Sequence, residues 1–170
     1  KKKIIKNLFL CYESKNIPKY IIHNWKKLNP NFNIHIYDNN DCLEFLEKNF
    51  SKKHRDIFNF IPDGPIKADF WRCCILYIYG GFYSDIDVKP IVSLLSLVHP
   101  DVYFLTIRSY CGYNLNPEII YCKKNCNLLK RCIDIYLIFM EKNKKYSYWG
   151  WSITKILYEI LNSVVIGNIN

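Results

Sequence analysis

Glycine and proline are scarce in this sequence of 170 residues, which has six glycines and seven prolines. No segment is rich in either residue, so the sequence has no flexible or extended linker of the kind that separates domains. Long apolar runs are also missing, because the longest one, 73–83, has 11 residues and includes two glycines. A helix that crosses a bilayer needs about 20 apolar residues. The sequence therefore predicts no membrane span and a single domain over residues 1–170.

Arginine is also scarce, because only four of the 24 cationic residues are arginines. The formal net charge is +9, and a basic domain raises the possibility of nucleic-acid binding. Arginine, however, is the residue that most often recognises base edges and binds phosphates through bidentate hydrogen bonds. A lysine excess without basic helical stripes indicates solubility and non-specific attraction. We therefore expect no nucleic-acid partner.

The eight cysteines include no Cys-x-x-Cys pair, and the four histidines are scattered. A zinc site needs closer pairings of these residues. We expect small buried thiols, which favour the cytosol over the lumen of the secretory pathway. The alternative is a disulfide within one set of four cysteines: Cys111, Cys122, Cys126 and Cys132.

Hydrophobic spacing predicts an alternation of strands and helices along the chain. The predicted strands are 17–25 (a turn leading into a short strand), 33–37, 82–88, 102–107 and 118–122. The predicted helices are 42–50, 66–79, 128–142 and 151–161, the first of them capped within Asp38–Asp41. Such alternation favours an α/β fold with a mostly parallel, Rossmann-type sheet flanked by helices.

One helix, two glycines and the following strand carry most of the candidate chemistry. Asp69 and Arg72 are three residues apart and therefore share a helix face. They form either an ion pair within the helix or a surface that holds a polar ligand. Asp85 and Asp87 flank Ile86, and residues two apart on a strand point to the same side. Two neighbouring carboxylates favour a bound Mg²⁺ or Mn²⁺ ion.

This segment resembles the DXD-motif glycosyltransferases of the family 32-like group, which includes initiating α-1,6-mannosyltransferases. The resemblance covers about residues 17–92. It rests on two blocks in the same order as in the family. The first has Ile17-Pro18-Lys19, His23, Trp25, Asn29-Pro30 and Tyr37-Asp38, and the second has Ala68-Asp69, Arg72, Leu76-Tyr77, Gly80-Gly81, Tyr83 and Asp85-Ile86-Asp87.

The resemblance implies a GT-A-like fold, a nucleotide-sugar donor such as a UDP- or GDP-sugar, and a divalent cation, Mn²⁺ or Mg²⁺. It also implies transfer to a glycan, lipid or protein hydroxyl with retention of configuration. Asp69 and Arg72 would hold the donor sugar and diphosphate, Asp85 the ribose or metal-bound water, and Asp87 the cation. The implied donor-binding set also includes Ile22, His23, Trp25 and Tyr83.

The resemblance weakens after residue 92. Asn116 takes the place of an asparagine that lines the sugar pocket in the family. Trp149 and Trp151 are interpreted as core residues, a helix staple or a sugar platform. The acceptor side is expected to be incomplete, so the alternative function is a non-catalytic module that binds nucleotide sugars or glycans. A phosphoryl-transfer or nuclease domain would require a further acidic cluster, which we do not find in the sequence.

Overall fold

The computed structural model describes residues 3–108 and 115–167. Its strands are β1 (Asn7–Cys11), β2 (Asn33–Tyr37), β3 (Gly81–Ser84), β4 (Phe104–Arg108) and β5 (Leu115–Cys122). Its helices are α1 (Lys19–Leu28), α2 (Asn39–Asn49), α3 (Lys52–Phe60), α4 (Gly64–Tyr79), α5 (Asn127–Glu141), α6 (Tyr148–Trp151) and α7 (Ile153–Gly167). A short 3-10 helix spans Leu94–Ser96.

The five strands form one sheet in the order β2-β1-β3-β5-β4. Strand β1 is parallel to both β2 and β3, whereas β5 is antiparallel to both β3 and β4. Four strands therefore run in one direction and β5 runs against them. This arrangement confirms the predicted α/β class with a mostly parallel sheet.

Both faces of the sheet are covered, as the burial of β1 shows. Phe9 packs in a core with α4, α5 and α7, whereas Leu8 and Leu10 pack on the opposite face in a second core that includes Trp25 of α1. Alternate residues of a strand face opposite sides. The buried central helix α4, whose Phe70 is fully inaccessible, therefore lies against one face and α1 against the other.

Helix α4 ends at Gly80, and β3 starts at the next residue. Both glycines have positive φ angles, 64° at Gly80 and 105° at Gly81, where other residues are strained. A Cβ atom at Gly81 would lie 2.7 Å from the carbonyl oxygen of Asn7 in β1. The glycines therefore allow β3 to enter the sheet closely beside β1.

Several predicted boundaries are wrong. Residues 17–25 are not a strand, because Lys19–Leu28 forms α1, and the first strand is the unpredicted Asn7–Cys11. The predicted strand 82–88 ends at Ser84. Helix α3 was not predicted, and the last predicted helix is divided into α6 and α7.

The prediction for α2 is confirmed, since Asp38 caps the helix in a reciprocal pair of bonds with Asp41. The seven cysteines in the described part of the chain are free thiols, and six of them are buried. Cys111 of the alternative disulfide set lies outside the described residues. Within the described ranges, no helix has the length and apolar character needed to cross a bilayer.

Candidate active site

A cavity of about 600 Å³ lies where the carboxyl ends of β1, β2 and β3 meet the start of α4. This edge of a parallel sheet is where open α/β folds bind ligands. Each of the three strand ends contributes to the wall. The contributed residues are Cys11, Tyr12 and Glu13 after β1, Asn39 after β2, and Asp85, Ile86 and Asp87 after β3.

Arg72 forms the base of this cavity and is only 3% exposed. Its Nη2 atom lies 3.1 Å from Asp69 Oδ1 and 3.0 Å from Asp85 Oδ1. Its Nη1 atom donates to the carbonyl oxygen of Pro117 at 2.7 Å, and Nε donates to that of Ala68 at 3.2 Å. Burial lowers the pKa of Arg72, but neighbouring charges raise it above its ordinary value overall. The guanidinium is therefore a fixed cation that joins α4 to β5 and to the turn after β3.

Asp69 is buried beneath Arg72 and bonded on both carboxylate oxygens. Oδ1 faces Arg72, and Oδ2 accepts a hydrogen bond from the backbone N–H of Ile153 at 3.0 Å. Burial raises the pKa of Asp69 to about 6, although the Arg72 charge and the Ile153 bond oppose the rise. The predicted ion pair within α4 is thus present, and it also fixes the start of α7.

Tyr83 connects the sheet to the same cluster. Its hydroxyl donates to Asp85 Oδ1 at 2.7 Å, and its ring lies 4.2 Å from the Arg72 guanidinium carbon. Burial raises the pKa of Tyr83 well above its ordinary value, and it raises the pKa of Cys11 to about 11. Both groups therefore remain protonated at neutral pH, and the Tyr83 hydroxyl serves as a hydrogen-bond donor to Asp85.

Asp85 and Asp87 lie in the turn that follows β3, where the backbone N–H of Val88 donates to the Asp85 carbonyl. The prediction that they share one side of a strand is wrong, because the strand ends one residue earlier. Both nevertheless line the large cavity. Asp87 is exposed and, within the described residues, makes no side-chain hydrogen bond or ion pair. The two carboxylates therefore differ, one being fixed by the protein and the other open to a ligand.

A second, smaller cavity of about 130 Å³ adjoins the first and shares Pro65, Arg72 and Asp85 with it. Asn116 lines this cavity from β5. The structure thus brings Asn116 to the same cluster as Asp69, Arg72, Tyr83 and Asp85. The remaining wall comes from α4, β5, α6 and the start of α7, namely Ile66, Asp69, Pro117, Glu118, Tyr148, Trp149, Ser152 and Thr154.

Residues 17–104, slightly more than half of the chain, match the family described as "Glycosyltransferase sugar-binding region containing DXD motif". The chain belongs to this family. The match spans the fixed pair Asp69 and Arg72 and the turn that carries Asp85 and Asp87. The resemblance stated from these residues is thereby confirmed.

Three relatives share only part of their length with this chain. The initiation-specific alpha-1,6-mannosyltransferase of Candida albicans is 28% identical over 92 residues, which are 49% of this chain and 24% of that protein. The enzyme of the same name from Schizosaccharomyces pombe is 24% identical over 98 residues, 55% of this chain and 25% of that protein. An uncharacterized glycosyltransferase of Acanthamoeba polyphaga mimivirus is 35% identical over 65 residues, 38% and 26% of the two chains. The chain spans about a quarter of the length of these relatives.

Among solved structures, the PaToxG glycosyltransferase superimposes with a TM-score of 0.74 and 20% sequence identity. The superposition covers 96% of this chain and 71% of that chain. At this level of identity the likeness concerns the fold alone. It confirms the predicted GT-A-like architecture of this chain.

Three residues of the predicted donor-binding set lie away from both cavities. Ile22, His23 and Trp25 are on α1, and Trp25 is buried in the core on the opposite face of the sheet. The resemblance implies that they line the donor pocket as the turn of the first strand. That prediction of a strand is wrong, since the segment forms a helix.

The end of the real first strand, β1, supplies cavity residues that sequence reasoning missed. Cys11 and Tyr12 line the large cavity at the position that we assigned to 22–25. The sequence does contain a signal for β1, because Leu8, Phe9 and Leu10 form a short apolar run typical of a buried strand. Apolar residues 21, 25 and 28 likewise have the spacing of a helix rather than a strand.

The carboxylates of Asp85 and Asp87 fit a hard divalent cation. Asp85 and Asp87 offer oxygen ligands, and Asp87 has no competing partner among the described residues. The described part of the chain has no cluster of three or more His, Cys, Asp or Glu residues arranged for a metal. Mg²⁺ commonly binds through one or two carboxylates plus substrate phosphates and water. The site is therefore suited to a cation that arrives with a phosphorylated ligand.

Proposed function

We propose that this chain binds a nucleotide-sugar donor in the large cavity and transfers its sugar to an acceptor hydroxyl with the help of Mn²⁺ or Mg²⁺. The observation that carries the proposal is the meeting of Arg72, Asp85 and Asp87 at one cavity wall. The cavity volume of about 600 Å³ lies within the range of small-molecule sites. Membership of the DXD glycosyltransferase family supports sugar transfer as the reaction class.

The charge of the cavity wall supports a requirement for a cation. Its acidic residues are Glu13, Asp85 and Asp87, and its basic residues are Lys67 and Arg72. The Arg72 charge is already shared between Asp85 and the buried Asp69. A diphosphate would therefore enter a region without surplus positive charge. A divalent cation between the carboxylates and the phosphates would remove this repulsion.

Each residue of the cluster has a proposed part in holding the donor. Asp87 would hold the cation together with Asp85, while Arg72 and Tyr83 fix the orientation of Asp85. When bound, the cation would neutralise the negative charge that develops on the diphosphate as the anomeric C–O bond breaks. The smaller cavity beside Asp69 and Asn116 would receive the transferred hexose.

We further propose that transfer retains the configuration at the anomeric carbon, as the resemblance to family 32-like enzymes implies. Two relatives are named mannosyltransferases, so mannose is the first sugar to test. The acceptor hydroxyl would then reach the anomeric carbon from the side of the smaller cavity, which meets the large cavity at Arg72 and Asp85.

The test is release of nucleoside diphosphate from a panel of UDP- and GDP-sugars, measured by chromatography with and without Mn²⁺. We expect release from one donor that depends on the cation and is lost in Asp87→Asn. Cation-dependent binding with no release or transfer would favour the alternative, a non-catalytic nucleotide-sugar-binding module. Neither binding nor release with any donor would contradict the proposal.

A further inference from the structure

Trp149 is an unusual residue on the surface of this chain because 72% of it is exposed. The other three tryptophans are buried, each at most 1% exposed. Tryptophan is highly buried on average, and exposed apolar groups beside a cleft mark interaction sites. Its neighbour Tyr148 is also exposed, at 40%, and the two rings meet edge to face with centroids 5.2 Å apart. Together Tyr148 and Trp149 form what we name the aromatic rim.

The aromatic rim lies at the mouth of the smaller cavity, which both of its residues line. That cavity also contains Arg72 and Asp85, the groups at the base of the large cavity. A molecule resting on the rim would therefore lie beside the point where the donor sugar is proposed to sit. An acceptor for the proposed transfer would bind at this location.

The segment that carries the aromatic rim is firmly attached to the core. Trp151 is fully buried, and its carbonyl accepts a hydrogen bond from the Tyr136 hydroxyl at 2.8 Å. Two residues later, the backbone N–H of Ile153 donates to Asp69. The rim is thus tied to the carboxylate that pairs with Arg72. Its exposed rings are held in place beside the cavity, which lowers the entropy lost on binding.

The chemistry around the aromatic rim favours a sugar as the bound group. The negative face of an aromatic ring attracts the partly positive C–H face of a pyranose. In the same cavity, Asn116 and Glu118 offer an amide and a carboxylate that can bond to hydroxyl groups. A lipid chain would need a broad apolar surface, whereas most of the residues that line this cavity are polar or charged, among them Asp69, Glu118 and Thr154.

We propose that the aromatic rim is a platform on which an acceptor saccharide stacks, so that the acceptor is a glycan rather than a lipid or an unmodified protein. This inference rests on the proposed function, since it names the acceptor of that reaction. Stacking on Trp149 would align one acceptor hydroxyl with the anomeric carbon of the donor. Glu118 and Asn116 would select the hydroxyl that faces the smaller cavity.

The proposal is tested by the fluorescence of Trp149 in the full chain. Acrylamide quenches exposed tryptophan, and Trp149 is the exposed one of the four. We expect methyl glycosides or short oligosaccharides of mannose, galactose, glucose or N-acetylglucosamine to protect it, and Trp149→Phe to lose the protectable signal. No protection by any saccharide, with donor binding retained, would overturn the platform and leave the proposed function intact. Full protection of Trp149 by the donor alone would also overturn the platform.

Protection of Trp149 by a saccharide in a chain that binds no donor would support the platform and contradict the proposed function.

A kinetic test uses the acceptor that protects best. Trp149→Ala should raise the acceptor KM by about tenfold. The matched control is Tyr20→Ala, since Tyr20 is 64% exposed on α1 and lines neither cavity. An equal effect of the two substitutions on the acceptor KM would contradict the platform.

Discussion

The Arg72 guanidinium lies 3.0 Å from the Asp85 carboxylate, which joins the buried helix α4 to the turn after β3. Tyr83 donates to the same carboxylate oxygen. Asp85 is therefore fixed by two groups, whereas Asp87, two residues later, is exposed at the cavity wall. This difference divides the two carboxylates of the DXD motif into one oriented by the protein and one available to a cation.

The first prediction concerns Asp87. Asp87→Asn should lower donor affinity in Mn²⁺ by at least about tenfold. Loss of a group that only orients a metal ligand typically costs about 10- to 100-fold in metal affinity, and loss of the ligand itself should cost no less. The free energy of unfolding should change by less than about 0.5 kcal/mol, since the side chain is exposed. Calorimetric titration and urea unfolding measure the two quantities.

The matched control for that substitution is Asp56→Asn, an equal change of charge at an exposed position of α3 outside both cavities. It should leave donor affinity unaltered. If Asp87→Asn binds donor with the same cation dependence as the wild type, Asp87 is not the cation ligand.

Arg72 should matter for both stability and binding. Arg72→Ala removes the partner of buried Asp69 and should lower the free energy of unfolding by about 3 kcal/mol, as for other broken buried ion pairs.

Arg72→Lys keeps the charge but loses the planar set of hydrogen-bond donors of the guanidinium. It should weaken donor binding more than Lys67→Ala, which changes a half-buried residue of the same cavity. Equal donor affinities in the last two variants would contradict the position given to Arg72.

The fold and the site were predictable from sequence where the determining contacts are local. Asp69 and Arg72 are paired by helical spacing, and Gly80 ends the helix at the predicted position. The bond from Ile153 to Asp69 joins residues 84 positions apart, and no local pattern signals it. The same holds for the contact of Arg72 with Pro117.

The errors at the start of the chain have a different cause. Strand β1 is five residues long, with a continuous apolar centre buried on both faces, so it lacks the alternation that marks a half-buried strand. The resemblance to the family begins at Ile17, so the first strand was predicted within residues that form α1. Burial on both faces of the sheet is a property of the assembled fold, which the sequence of one strand does not reveal.

The stability of the protein should depend on the protonation of Asp69. Burial raises the pKa of Asp69 from 3.8 to about 6, so between these pH values the folded protein binds a proton that the unfolded chain has lost. This group's contribution to stability is therefore present at low pH and decreases as the pH rises, by at most about 1.4 kcal/mol per pH unit. Asp69→Asn cannot titrate.

Urea unfolding of wild type and Asp69→Asn at several values between pH 4 and pH 7 measures this dependence. The wild type should lose stability relative to the variant as the pH rises through this range. Parallel stability curves for the two proteins would show that Asp69 has an ordinary pKa in the folded state.

Gly81 is predicted to be irreplaceable for packing reasons. Gly81→Ala places a Cβ atom 2.7 Å from the Asn7 carbonyl at a φ angle of 105°, and should lower the free energy of unfolding by about 2 kcal/mol or more. Gly64→Ala is the control, because a Cβ atom there meets no atom within 4 Å and alanine favours the helix. Equal unfolding midpoints for the two variants would contradict this account of the α4–β3 junction.

The measurement that tests the central claim most directly is the thermal unfolding of the full chain with UDP- and GDP-sugars, each with and without Mn²⁺. Ligand at about 100 times its Kd should stabilise the folded state by roughly 2.7 kcal/mol. The account predicts a clear rise in Tm with one nucleotide class, in the presence of Mn²⁺ and not after its removal by EDTA. A Tm that no nucleotide sugar changes, or that changes equally without the cation, would contradict a cation-assisted donor site at Asp85 and Asp87.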